Sequence, residues 1–72
     1  MIIINQIEFP WREGMTLDEA VKTAQTHPAL RRENSGRKMF MQNGKFIQEH
    51  DLANVTVCDH DEIVILDVVS GG

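Results

Sequence analysis

The sequence predicts an α+β domain in which one main helix packs across one face of a mixed sheet of four to five strands. Three observations carry this. Met1-Ile2-Ile3-Ile4 and Glu62-Ile63-Val64-Ile65-Leu66-Asp67-Val68-Val69 are β-rich runs near the two ends of the chain. Both Met1–Ile4 and Ile63–Leu66 read as buried on two sides, which neighbouring, parallel central strands would satisfy. Between them, Leu17, Ala20, Val21 and Ala24 recur at i, i+3, i+4 and i+7, a single apolar stripe on a helix. Asn43-Gly44 separates two further apolar runs, the strongest short-range hairpin signal.

Taken in order, Met1–Ile4 is a strand, Asn5-Gln6 a turn, and Ile7-Glu8-Phe9-Pro10-Trp11 a second strand alternating at period two. Pro10 cannot donate to a ladder and belongs at an edge or strand end. Trp11 is expected to cover the rim of the core. Glu13-Gly14 turns the chain, and Thr16-Leu17-Asp18-Glu19 has the form of a capping box, with Thr16 as N-cap and Glu19 reaching back to its amide. Thr26-His27-Pro28 stops the helix. Pro28 to Lys38 reads as a basic surface loop holding four of the seven cations, Arg31, Arg32, Arg37 and Lys38. Met39–Gln42 and Lys45–Ile47 form the Asn43-Gly44 hairpin, with the two methionines filling an irregular core. His50–Asn54 is a short helical or irregular link carrying Leu52 inward, Val55-Thr56-Val57 adds a little edge strand, and Asp59-His60-Asp61 is a polar turn. The domain is expected to span residues 1–69, with 70–72 a flexible tail.

Seventy-two residues bury only about 60% of the unfolded surface and leave little room for an enclosed catalytic pocket. The chain therefore reads as a binding module or protein substrate rather than an enzyme. A net charge of −4 argues against a nucleic-acid surface. After Lys45 there is no Lys or Arg, while Glu49, Asp51, Asp59, Asp61, Glu62 and Asp67 follow, so a basic partner would be steered to the C-terminal third. A single cysteine allows no internal disulfide, and no stretch has the length of a signal sequence or membrane span. A cytoplasmic protein without membrane contact is the expectation.

Catalytic and metal chemistry find little support. His27, His50 and His60 lack any ligand spacing, so no metal site is expected. Cys58 lies beside Asp59 and near Asp61, which raise a thiol pKa, and reads as a half-buried packing residue. Asp59, Asp61 and Glu62 share one turn, expected to be exposed and to face solvent or a basic partner. What remains is the end of the chain. Ser70-Gly71-Gly72 closes on two residues without Cβ, able to enter a channel too narrow for side chains. The Gly72 carboxylate is anionic at neutral pH and a poor acyl donor, so it needs activation from outside. A partner holding ATP and Mg²⁺ would let it attack the α-phosphate and form an acyl-adenylate open to a sulfur or nitrogen nucleophile.

In this order, Asn5-Gln6, Gly14-x-Thr16-Leu17, Asn43-Gly44, Asp59-His60-Asp61-Glu62-Ile63 and Ser70-Gly71-Gly72 resemble the ThiS/MoaD group of sulfur carriers, relatives of ubiquitin. The resemblance spans nearly the whole chain. It implies the β-grasp fold and a non-catalytic carrier that binds no cofactor itself. Gly72 would be adenylated by a ubiquitin-activating-type adenylyltransferase and converted to a thiocarboxylate. The implied partners also include a sulfur donor, a cysteine desulfurase or equivalent, and either thiazole synthase or the large subunit of molybdopterin synthase. Ser70 and Gly71 would thread into the partner, with docking expected around Asp59, Asp61, Glu62, Asp67 and Val68. Two departures bear on the branch. The family's Asp-Gly-Asp is Asp59-His60-Asp61, asking a histidine for a glycine-like backbone angle. The Pro-Pro pair of molybdopterin carriers is replaced by Leu66-Asp67-Val68-Val69, which points to the thiamine branch, whereas His27-Pro28-Ala29-Leu30-Arg31 looks more like the molybdopterin branch. A ubiquitin-like protein modifier is the further alternative.

Overall fold

Two hairpins and one long strand account for the sheet. Ile2–Ile4 (β1) and Ile7–Phe9 (β2) pair antiparallel across Asn5-Gln6, and Arg37–Gln42 (β3) and Lys45–Ile47 (β4) pair across Asn43-Gly44. Glu62–Val68 (β5) lies between them, parallel to β1 and antiparallel to β3, giving the order β2-β1-β5-β3-β4. The computed structural model describes residues 1–30 and 37–68, with side chains for all of these except Arg37 and Val68. Most of the basic loop and the tail from Val69 to Gly72 lie outside the described residues.

Both hairpin turns work because their central residues take positive φ, matching the twist of the flanking strands. Asn5 and Gln6 sit at 49° and 70°, and Asn43 and Gly44 at 52° and 84°. The helix Leu17–Gln25 (α1) starts where expected: the Thr16 hydroxyl accepts from the Glu19 amide at 3.3 Å. The return half of the box differs. The Glu19 carboxylate takes the Thr16 hydroxyl and the Arg12 guanidinium, and Arg12 holds its carboxyl below the usual range. Leu17, Ala20, Val21 and Ala24 are all buried against Ile2, Ile4, Phe40, Ile47 and Ile63, so the helix covers one face of the sheet. Trp11 packs against this core and donates from Nε1 to the Val57 carbonyl at 2.8 Å. Leu52 is carried inward by a 3₁₀ turn at Glu49–Asn54.

Several expectations are corrected. Val55-Thr56-Val57 adds no strand, only a bridge between Thr56 and Thr16 flanked by Leu17 N–H to Val55 O and Val57 N–H to Met15 O, both 2.8 Å. The opposite segment turns into α1 at once, so the ladder cannot propagate. Arg37 and Lys38 belong to β3 rather than to a loop, because β5 runs on to Val68 and offers them partners at Val68 and Asp67. Burial on two sides ends early in β5: Ile63 is fully buried, Val64 and Ile65 are half-buried, and Leu66 is exposed. Cys58 is exposed instead of half-buried: it opens the turn that the Asp61 amide closes by donating to the Cys58 carbonyl at 3.1 Å.

His60 takes φ +73°, the left-handed angle that its place in the turn demands, with its side chain 86% exposed. A Cβ in this region costs about 1–2 kcal/mol, of which the greater unfolded-state freedom of glycine returns part. His60→Gly is therefore expected to stabilise the domain by about 0.5–1 kcal/mol, read as a higher urea midpoint at unchanged slope. An unchanged or lower midpoint contradicts that account of the turn.

Candidate functional site

Side chains on successive strand residues point to opposite faces, and α1 covers only one of them. Phe40, Ile47, Ile63, Ile2 and Ile4 face α1, which assigns Met39, Met41, Phe46, Val64, Leu66 and Ile3 to the other side. The registers put these residues beside one another: Met39 opposite Leu66, and Met41 opposite both Val64 and Phe46. Leu66 is 47%, Phe46 51% and Met39 37% exposed, with Met41, Val64 and Ile3 half-buried. An apolar surface thus crosses four strands and lies on β5, the strand that leads into the tail. Glu62 and Glu8, each paired with Ile3, border it on the β1 side with negative charge. The expectation that Met39 and Met41 fill the core is corrected: they lie on the face without a helix.

The acidic residues predicted to form one docking surface are not brought together. Glu62 is exposed at the border of the open face. Asp67, five residues on along the same strand, projects to the opposite side, where it lines a small crevice with Ala24, Leu30 and Lys38. Asp59 lies in the turn before β5, 2.6 Å from the Met1 ammonium, whose hydrogen bond holds its carboxyl below the usual range. Val68 pairs with Arg37 at the end of β5, and Ser70, Gly71 and Gly72 lie outside the described residues.

Asp61 is corrected most. Far from exposed, it is 9% accessible, and its carboxylate accepts from Gln42 Nε2 (2.8 Å), Asn43 Nδ2 (2.9 Å) and the Cys58 amide (2.8 Å). Burial pushes its carboxyl up, but the hydrogen bonds from Asn43, Cys58 and Gln42 together outweigh this and lower it. Asn43 also accepts from the Glu62 amide at 2.9 Å, and Ile3 donates to the Asp61 carbonyl at 3.0 Å. The group therefore clamps the β3–β4 turn, β1 and the start of β5. Its role is to set where β5 begins.

A single helix cannot cover both faces of a sheet whose central strand is apolar on both, and that was the signal in the sequence for the open face. The chemistry of the described residues is sparse: no group of three or more His, Cys, Asp or Glu among them is placed to hold a metal ion. Likewise, no described helix is long and apolar enough to cross a membrane. The arrangement is that of a small scaffold presenting an apolar face and the strand that leads to its last residues.

Comparison with known proteins agrees with this picture. Among curated proteins no match to the chain is found. The family model described as ThiS family matches residues 2–72, including the closing Gly71-Gly72. Membership implies a sulfur-carrier role in thiamine or molybdopterin biosynthesis, with activating enzymes and synthases as partners in general terms. With a five-stranded mixed sheet, one helix across it and a family match over nearly its whole length, this chain belongs to the ThiS family of β-grasp sulfur carriers.

Proposed function

We propose that the chain carries sulfur on Gly72 in thiazole formation for thiamine. The observation that carries this reading is the family match extending through Gly71-Gly72. A separate ATP- and Mg²⁺-dependent adenylyltransferase of the ubiquitin-activating type docks the domain. The Gly72 carboxylate oxygen attacks the α-phosphorus and pyrophosphate leaves. The terminal sulfur of a donor persulfide, such as one formed on a cysteine desulfurase, then attacks the acyl carbon and displaces AMP, and a thiol reductant cleaves the resulting acyl disulfide, leaving the thiocarboxylate on Gly72 and a disulfide on the donor. Ser70 and Gly71 supply the narrow segment that crosses to the nucleotide; three extended residues reach roughly 10 Å. The acceptor is thiazole synthase. The replacement of the Pro-Pro pair by Leu66-Asp67-Val68-Val69 favours this branch. The His27–Arg31 segment favours the second reading, in which the large subunit of molybdopterin synthase takes the sulfur.

Incubation with ATP, Mg²⁺, the cognate activating enzyme and a sulfur donor is expected to raise the intact mass by the difference between sulfur and oxygen. An unchanged mass overturns the reading; heavier conjugates to protein lysines would assign the chain to the protein modifiers.

The open face is the docking surface in this proposal, because it is apolar and continuous with β5. Its acidic border suits a partner with a basic rim. Reversing Glu8 and Glu62 to Lys is expected to slow association severalfold and flatten its salt dependence, measured by stopped flow at two ionic strengths. Equal rates for both forms would remove the border from the interface.

A further inference from the structure

β1 runs beside β5 for only two residue pairs, Ile3 with Glu62 and Ile4 with Ile63. Asn5 then turns away at φ +49° and its side chain takes over. The Asn5 amide N–H reaches the Ile63 carbonyl at 2.9 Å, Oδ1 accepts from the Ile65 amide at 2.8 Å, and Nδ2 donates to the Ile65 carbonyl at 3.1 Å. A carboxamide places an N–H donor and a C=O acceptor in one plane, as the backbone of a strand residue does towards its neighbour. It therefore serves as one more strand residue after the backbone of β1 has left the sheet.

We propose that Asn5 is a positioning residue for the carrier's tail: its side chain extends the β1 ladder to Ile65 and so fixes the direction in which the last residues leave the domain. Val68 lies three residues beyond Ile65, roughly 10 Å at ~3.3 Å per residue. Leu66, on the docking face, is the next residue after the clamp. Without the carboxamide, the two-sided hold on β5 retreats from Ile65 to Ile63. The partner must then order more chain before Gly72 reaches its nucleotide, a cost borne in binding rather than in the chemical step. This inference rests on the sulfur-carrier reading for its consequence but not for its structural half.

Asn5→Gly tests it, since glycine keeps the left-handed turn and removes only the carboxamide. By alternation the Leu66 amide faces β3, so its exchange reports fraying of β5 rather than loss of the Asn5 bond itself. Its hydrogen exchange is expected to speed at least ~10-fold relative to the Ile3 amide in the same molecule. In the activation assay KM for the carrier is expected to rise about 10-fold, with kcat within about twofold, the equivalent of ordering one further residue. Asn5→Asp, which keeps the acceptor and loses the donor, should fall between the two, and decides the matter if Asn5→Gly does not fold. Unchanged relative exchange at Leu66 overturns the proposal, as does an unchanged KM. If the wild-type chain is itself never activated, the sulfur-carrier reading fails, while the exchange ratio still judges Asn5.

Discussion

Asp61→Ala is expected to lose about 3–4 kcal/mol of stability, read from urea unfolding. Three hydrogen bonds converge on one buried carboxylate, and bonds to charged groups contribute about 1.5–3 kcal/mol each, less when removed together. Water can reach the Gln42 and Asn43 amides once the carboxylate is gone, which keeps the total below their sum. At about 0.05–0.15 kcal/mol per residue, a domain of this size holds roughly 4–11 kcal/mol, so the variant is left marginal. Asp61→Asn should cost nearly as much, because one oxygen becomes an NH₂ group aimed at a donor. The pH dependence follows from the direction of the shift. The folded carboxyl titrates below its unfolded value of about 3.9, so its stabilisation is complete above that pH and is lost as pH falls through the folded value. Wild type should therefore show a steeper acid loss of stability below about pH 4 than Asp61→Asn. Parallel acid profiles for the two would show that the carboxylate is not held as described.

Leu66→Asp is expected to abolish measurable docking to the activating enzyme while leaving the domain folded. Leu66 lies at the tail end of the apolar patch on the open face, opposite Met39 and on the strand leading to the tail. At 47% exposure its burial contributes little to folding, and losing its cross-strand contact costs about 0.2–1 kcal/mol. In a docked complex the same side chain would be desolvated among Met39, Met41, Phe46 and Val64, and a charge there would be buried without a partner. A residue that anchors an interface contributes at least ~2 kcal/mol, about 30-fold, and an unpaired buried charge adds to that. Calorimetric titration of the activating enzyme, with thermal unfolding of the free carrier alongside, separates the two effects. Undiminished binding would exclude the open face as the interface. A collapse of the melting temperature would show that Leu66 serves the fold instead.

The helix stripe from Leu17 to Ala24, the two hairpins with their turns at Asn5-Gln6 and Asn43-Gly44, and the β-rich run that becomes β5 were legible in the chain, because each depends on residues close in sequence. Periodicity, a capping threonine and Asn-Gly are local signals whose physics does not wait for the rest of the fold. The strain at His60 was likewise legible, since it follows from one residue in one turn.

The candidate site divides along the same line. That the chemistry should reside on Gly72, and that its activation should come from another protein, follows as a proposal from residue types alone. The docking surface required the tertiary structure. Met39, Phe40, Met41, Ile63, Val64, Ile65 and Leu66 are apolar at consecutive positions, so period two cannot say which set faces the core; only the placement of α1 decides that. Nor could spacing separate Asp61, held by three donors inside the turn, from Glu62 at the edge of the open face. Asn5 reads locally as a turn residue, and its second task at Ile65 exists only because the parallel pairing of β1 and β5 brings together residues sixty positions apart. Sequence by itself determined most of the elements and supplied the proposal for the reactive end, since both are read from neighbours along the chain. The tertiary structure decided which face is open and which polar groups are buried, because both are set by contacts between residues far apart.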